Sequence, residues 1–113
     1  MRILVSLLPL TIFLAAPALA QSPERAGHYY LQGVMETGSE LLLDPNGRFQ
    51  WYLAYGALDL FAEGRWRERN GTVILTSEKT RDVPSPAFET LVLTIREKEL
   101  IPPDGHGAYT RPD

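Results

Sequence analysis

The sequence has no cysteine in its 113 residues. A disulfide, a thiolate nucleophile, a zinc–thiolate site and a lipidated N-terminal cysteine are therefore excluded. A domain of this size without disulfides must be stabilised by the packing of its side chains alone. Aromatic residues suited to that role follow the first twenty positions. They are Tyr29, Tyr30, Phe49, Trp51, Tyr52, Tyr55, Phe61, Trp66, Phe88 and Tyr109.

Positive charge is also scarce. The chain has 11 Lys and Arg residues and 14 Asp and Glu residues, which gives a net charge of −3. Without Arg2, which lies in the N-terminal segment, 10 basic and 14 acidic residues remain and the charge is −4. A net negative charge argues against binding to nucleic acid through contacts with phosphates.

Long apolar runs are absent except at the N-terminus. There, Arg2 precedes the apolar run Ile3–Ala16, and small residues flank Leu19 just before Gln21. This is the tripartite pattern of a secretory signal peptide, here residues 1–20, with cleavage before Gln21. The run is shorter than the ~20 residues that a transmembrane helix needs. We therefore predict a protein exported to a bacterial periplasm, with no transmembrane segment after cleavage.

The remaining 93 residues fit one small domain. Residues 21–27 are polar and predict a flexible lead-in, and residues 28–111 predict a single β domain. Apolar and polar residues alternate with a period of two through most of this domain. No segment has the amphipathic pattern of a helix of three turns. The pattern predicts an all-β antiparallel meander.

Turn signals divide the domain into about six to seven predicted strands. The turns are Asp44–Gly47, Gly56–Asp59, Asn70–Gly71 and Pro102–Gly105. The strands are predicted at 28–36, 39–43, 48–55, 60–69, 72–77, 88–97 and 107–111, the last of them either a closing edge strand or a frayed tail. Two prolines in residues 78–87 predict a mobile connection instead of a strand.

The alternation also predicts which side chains face the core. Phe49, Trp51 and Leu53 share one face of the third strand, and Trp66 points inward from the fourth. In the sixth strand the inward face carries Leu91, Leu93 and Ile95.

Four segments resemble a known group of proteins: Leu41–Phe49, Gly64–Trp66, Val73–Ser77 and Tyr109–Arg111. They are similar to segments of small envelope proteins that have a lipocalin-like β-meander. The segment Tyr55–Asp59 resembles uncharacterised exported proteins of Gram-negative bacteria. The resemblance implies a small lipocalin-like barrel or half-barrel, and it implies no reaction. True lipocalins are longer and carry their Gly-x-Trp motif near the first strand. We therefore expect an interior that is nearly filled by the protein's own side chains.

Residues for catalysis or metal binding do not form a recognisable pattern. His28 and His106 are the only histidines, and neither has a partner at the spacing of a metal site. No serine lies in a Gly-x-Ser-x-Gly motif. Acidic residues are abundant, but nothing besides their abundance suggests a pair that could hydrolyse a glycoside. We predict no catalytic residue, no metal and no cofactor.

The candidate ligand-binding residues are three tyrosines and two arginines. Tyr30, Tyr52 and Tyr55 could form a partly exposed patch that contacts an apolar or carbohydrate partner, or they could cap the open ends of a barrel. Arg65 and Arg67 lie with Arg69 on one face of a strand. That face could bind an anionic lipid headgroup or a sugar acid, or it could be a solvated outer surface paired with carboxylates.

These patterns lead to two functional hypotheses. The first is a non-catalytic periplasmic binding module, monomeric or weakly dimeric, that holds a small apolar ligand or envelope component at a barrel end. The second is an interaction or structural protein of the envelope that pairs an edge strand with a partner protein and binds no small ligand.

Overall fold

The structure, a computed structural model, describes residues 24–112, and it consists of one antiparallel sheet. The strands are β1 (Gly27–Gln32), β2 (Thr37–Leu43), β3 (Arg48–Tyr55), β4 (Leu58–Arg69), β5 (Thr72–Ser77), β6 (Thr90–Arg96), β7 (Glu99–Ile101) and β8 (Ala108–Thr110). Each strand pairs with the next one, and β8 pairs back with β1. The predicted fold class is confirmed as an eight-stranded closed barrel consistent with a small lipocalin-like barrel.

The tight turns form where the sequence predicts them, except that the turn predicted at Gly56–Asp59 is shorter, because Leu58 and Asp59 already pair with β3. In the turn between β2 and β3, the Gly47 amide donates to the Asp44 carbonyl at 3.0 Å, and Gly47 has a φ of 91°. Asn70 and Gly71, between β4 and β5, both have positive φ, at 49° and 77°. Two successive residues with positive φ match the twist of a two-residue hairpin.

The core lies inside the barrel. Phe49, Trp51 and Trp66 are buried as predicted, whereas Leu53 is only partly buried. The Trp66 indole also donates a hydrogen bond of 2.8 Å to the carbonyl of Asp44, so it ties β4 to the turn after β2. The other buried apolar side chains are Tyr29, Leu41, Leu43, Ala62, Val73, Leu75, Leu93, Leu100 and Tyr109.

Besides shifts of one or two residues at the ends of β2, β4 and β6, three strand assignments differ from the prediction. The first strand ends at Gln32 instead of continuing to residue 36, because the chain turns through Glu36, which has a φ of 57°. Strand β7 is not predicted by the sequence and raises the number of strands to eight. Strand β8 is not an edge, because it pairs with β1 on one side and with β7 on the other.

The connection between β5 and β6, predicted to be mobile, makes specific contacts with β4. The amides of Glu78 and Ala87 donate to the carbonyls of Glu63 and Phe61, both at 2.9 Å. After this connection, the Phe88 ring packs inside the barrel, with its centroid 5.0 Å from that of Trp51 and 6.2 Å from that of Phe49.

The two ends of the barrel differ. The end that holds the turns after β2, β4 and β6 is covered by residues 24–26, and we call it the closed end. Arg25 forms an ion pair with Glu68 at 3.1 Å, and Arg111 donates to the carbonyls of Glu24 and Ala26 at 2.8 and 2.9 Å. Residues 24–27 are thus held by the barrel, although they belong to the predicted flexible lead-in. The predicted signal peptide and residues 21–23 lie outside the described residues.

Candidate binding site at the open end of the barrel

The opposite end of the barrel, which holds the turns after β1, β3 and β7, contains a cavity of about 570 Å³. We call it the open-end cavity. Its walls are the ends of strands whose inward-facing residues continue past the core. The side chains around it are mainly apolar. They are Leu31, Val34, Trp51, Leu53, Tyr55, Leu58, Leu91, Pro102, Pro103 and Tyr109, together with the more polar Thr37, Asp104 and His106.

A chain of buried hydrogen bonds forms the floor of the cavity. The Trp51 indole donates to the Tyr109 hydroxyl at 2.9 Å, and the Ser39 hydroxyl donates to the Tyr52 carbonyl at 2.7 Å. Since Ser39 uses its proton in this way, the Tyr109 hydroxyl donates to the Ser39 oxygen, at 2.7 Å. Every polar atom in the floor therefore has a partner, and the side chains that make the floor are fixed in position.

Burial affects the ionisation of this floor. It raises the pKa of the Tyr109 phenol above its ordinary value of 10.0, although the hydrogen bonds with Ser39 and Trp51 act in the opposite direction. The phenol is therefore neutral at physiological pH. A neutral floor under apolar walls suits an apolar ligand more than a charged one.

The rim of the cavity exposes large apolar side chains. Tyr55 is 55% exposed and Leu58 is 50% exposed, and both also line the cavity. Two polar residues occupy the loop between β7 and β8, where the His106 amide donates to the Asp104 carboxylate at 2.8 Å. The opening is thus largely apolar, with polar groups concentrated on one side.

The structure does not bring the three predicted tyrosines together. Tyr55 lines the open-end cavity, because it has the same inward-facing parity as Trp51 and Leu53. Tyr30 and Tyr52 lie on the outer wall, where both pair in register with Glu40 of β2. Their predicted role in binding one ligand together with Tyr55 would require a ligand that reaches both surfaces.

Arg65 and Arg67 lie on the outer face of β4 and do not line the open-end cavity. The Arg65 guanidinium is 3.5 Å from the carboxylate of Glu78, which Arg48 also contacts at 2.8 Å. The hydrogen bond from Arg48 lowers the pKa of Glu78. This arrangement is that of a solvated face with cross-paired charges, one of the two interpretations of the arginine stripe.

Sequence reasoning missed most of the cavity because its residues have the pattern of a core. Leu53 and Leu91 were predicted to be internal, and they are only partly buried because the barrel is open above them. Tyr109 was predicted in the closing strand, but no local pattern places it beside Ser39, 70 residues earlier. The residue that could have indicated the cavity from the sequence is Tyr55, an aromatic residue that faces inward at the end of a strand.

Comparisons with protein families, curated proteins and solved structures find no match to this chain. Within residues 24–112, no group of three or more His, Asp or Glu side chains is arranged to hold a metal ion. The same part of the chain contains no helix long and apolar enough to cross a membrane.

Proposed function

We propose that this protein is a non-catalytic binding module that holds a small apolar ligand, or the apolar part of an envelope component, in the open-end cavity. The observation that carries the proposal is the combination of apolar walls with a floor whose polar atoms are all paired. A site of this kind gains binding free energy from the burial of apolar surface and leaves no polar group without a partner.

The size of the cavity supports a small ligand. Its volume of about 570 Å³ lies within the range of ~300–1,000 Å³ that is usual for ligand sites. Burial of roughly 300 Å² of apolar ligand surface would contribute about 7.5 kcal/mol at ~25 cal/mol per Å². Part of this is offset by the loss of ligand freedom. The expected dissociation constant is therefore micromolar to millimolar.

The filled core below the cavity indicates a cup that is closed at its base and not a channel through the barrel. Phe49, Trp66 and Phe88 fill the interior below Trp51, and residues 24–26 cover the closed end. The covered end therefore favours entry of a ligand from the open end. An eight-stranded barrel is just wide enough either to be filled by side chains or to hold one small ligand, and this one combines the two along its axis.

The edge-strand alternative has less support. All eight strands are hydrogen bonded in a closed ring, so each is paired on both sides over at least part of its length. A partner could add a strand only where pairing is incomplete. The predicted signal peptide supports a periplasmic location, where the module would meet components of the envelope.

Binding can be tested with an apolar fluorophore, N-phenyl-1-naphthylamine, whose emission rises in an apolar site. Leu58→Asp places a carboxylate at the rim, where the native side chain is half exposed, so we expect folding to persist and affinity to fall at least tenfold. Val92→Asp is the matched control, because Val92 is 41% exposed and lies on the outer wall. Equal affinity of the two variants, or no saturable binding by the wild type, would contradict the proposal.

A further inference from the structure

A second concave surface lies on the outer wall of the barrel. The strand register places outward-facing side chains from β1 to β4 in two neighbouring rows. The first row is Tyr30, Glu40, Tyr52 and Phe61, and the second is His28, Leu42, Gln50 and Glu63. Residues of both rows line a shallow cleft of about 290 Å³, and Val83 of the β5–β6 connection forms one side of it. We call this surface the outer cleft.

Two aromatic rings form a flat area in the outer cleft. The ring centroids of Tyr52 and Phe61 are 6.1 Å apart, and their planes differ by only 28°. Tyr52 leans across β2, where a Cβ on Gly38 would lie 3.8 Å from the Tyr52 hydroxyl. Phe61 faces outward and is 52% exposed, whereas the other outward-facing residues of its strand are charged. The pair therefore presents apolar ring surface to the outside of the barrel.

Planar polar groups surround this aromatic area. One oxygen of Glu40 is 2.8 Å from the His28 imidazole, and one oxygen of Glu63 accepts a hydrogen bond of 2.5 Å from the Thr80 hydroxyl. These contacts orient the carboxylates and leave the second oxygen of each without a partner among the described residues. The Gln50 amide lies between them in the register and likewise makes no hydrogen bond to a described residue.

We propose that the outer cleft binds one uncharged hexopyranose unit of a glycan. A pyranose ring has an apolar C–H face that packs on aromatic rings, and its edge carries neighbouring hydroxyls that carboxylates and amides bind well. The cleft offers both surfaces at adjacent register positions. No Lys or Arg lines it, so a sugar acid would be repelled by Glu40 and Glu63.

The proposed site lies on the opposite side of the sheet from the open-end cavity, and the two share only Trp51 among their lining residues. It is shallow and open to water, so we expect a dissociation constant in the millimolar range. Phe61 contributes the most exposed part of the aromatic area. Its replacement by alanine should therefore weaken binding about tenfold without removing a core side chain.

The test is a titration of the exported protein, followed by two-dimensional amide NMR, with methyl β-glucopyranoside, N-acetylglucosamine, glucuronate and choline. We expect saturable shifts in β2, β3 and β4 with at least one of the two neutral sugars, and weaker binding of glucuronate. Phe61→Ala and Gln50→Ala should each weaken the binding about tenfold. Val92→Ala, on the outer face of β6 and away from the cleft, is the matched control and should bind as the wild type does.

Three results would overturn the proposal: no saturable shift with either neutral sugar, binding of choline alone, and equal losses in Phe61→Ala and Val92→Ala. Retained amide dispersion in each variant shows that the fold is intact. Leu58→Asp should bind the sugar normally, and Phe61→Ala should bind the apolar fluorophore normally. Together, these two measurements show whether the apolar ligand site or the sugar site is the one that does not bind as proposed.

Discussion

At the scale of single residues, the Tyr109 hydroxyl joins β3, β2 and β8 at the floor of the open-end cavity. It accepts from the Trp51 indole and donates to Ser39, and all three groups are buried. Tyr109→Phe leaves the ring in place but leaves the indole N–H without an acceptor. We expect a loss of about 1–3 kcal/mol in the free energy of unfolding, measured by urea denaturation. A loss below about 0.5 kcal/mol would show that the chain of hydrogen bonds adds little to stability.

The raised pKa values of the buried tyrosines predict alkaline destabilisation. Burial raises the pKa of Tyr109 and of Tyr29 above 10.0. The unfolded chain therefore loses these protons at a lower pH than the folded chain does. The stabilising contribution is complete below the unfolded-state pKa, and stability is then lost as the pH rises above about 10. Unfolding free energies measured from neutral to alkaline pH should fall less steeply in Tyr109→Phe, and equal slopes would contradict this origin.

At the scale of strands, the pairing of β4 with β5 depends on a glycine. A Cβ at Gly64 would collide with the Thr76 carbonyl oxygen and approach the Ser77 Cα to 3.0 Å. Gly64→Ala should therefore cost about 1–3 kcal/mol, because backbone must move to admit the methyl group. Gly38→Ala is the matched control in β2, where the nearest atom would lie at 3.8 Å, an ordinary contact. Equal urea midpoints for the two variants would contradict the close approach.

The strand scale also shows what the sequence can and cannot predict. The hairpin turns at Asp44–Gly47 and Asn70–Gly71 follow from local backbone chemistry, and the structure confirms them. Strand β7 was missed because the turn before it, at Glu97 and Lys98, has neither glycine nor asparagine, although Glu97 has a φ of 59°. Three residues are also too few to show alternation. Local patterns therefore predict most strands but fail at short ones.

At the scale of the whole molecule, the barrel has one covered end and one open end. Its closure depends on the pairing of β1 with β8, which no local pattern specifies. The sequence predicts an interior nearly filled by side chains, and this holds for the half that contains Trp66 and Phe49. The cavity exists because the inward-facing residues at the other end, such as Leu53 and Tyr55, have no side chains above them. The candidate site therefore forms only when the barrel closes.

We propose above all that the open-end cavity carries an apolar ligand. The most direct test of this proposal is native mass spectrometry of the protein purified gently from its own host, compared with its mass after denaturation. We predict a mass excess that disappears on denaturation, is lost in Leu58→Asp and is kept in Val92→Asp. The same mass for the native and denatured wild-type protein would contradict the claim.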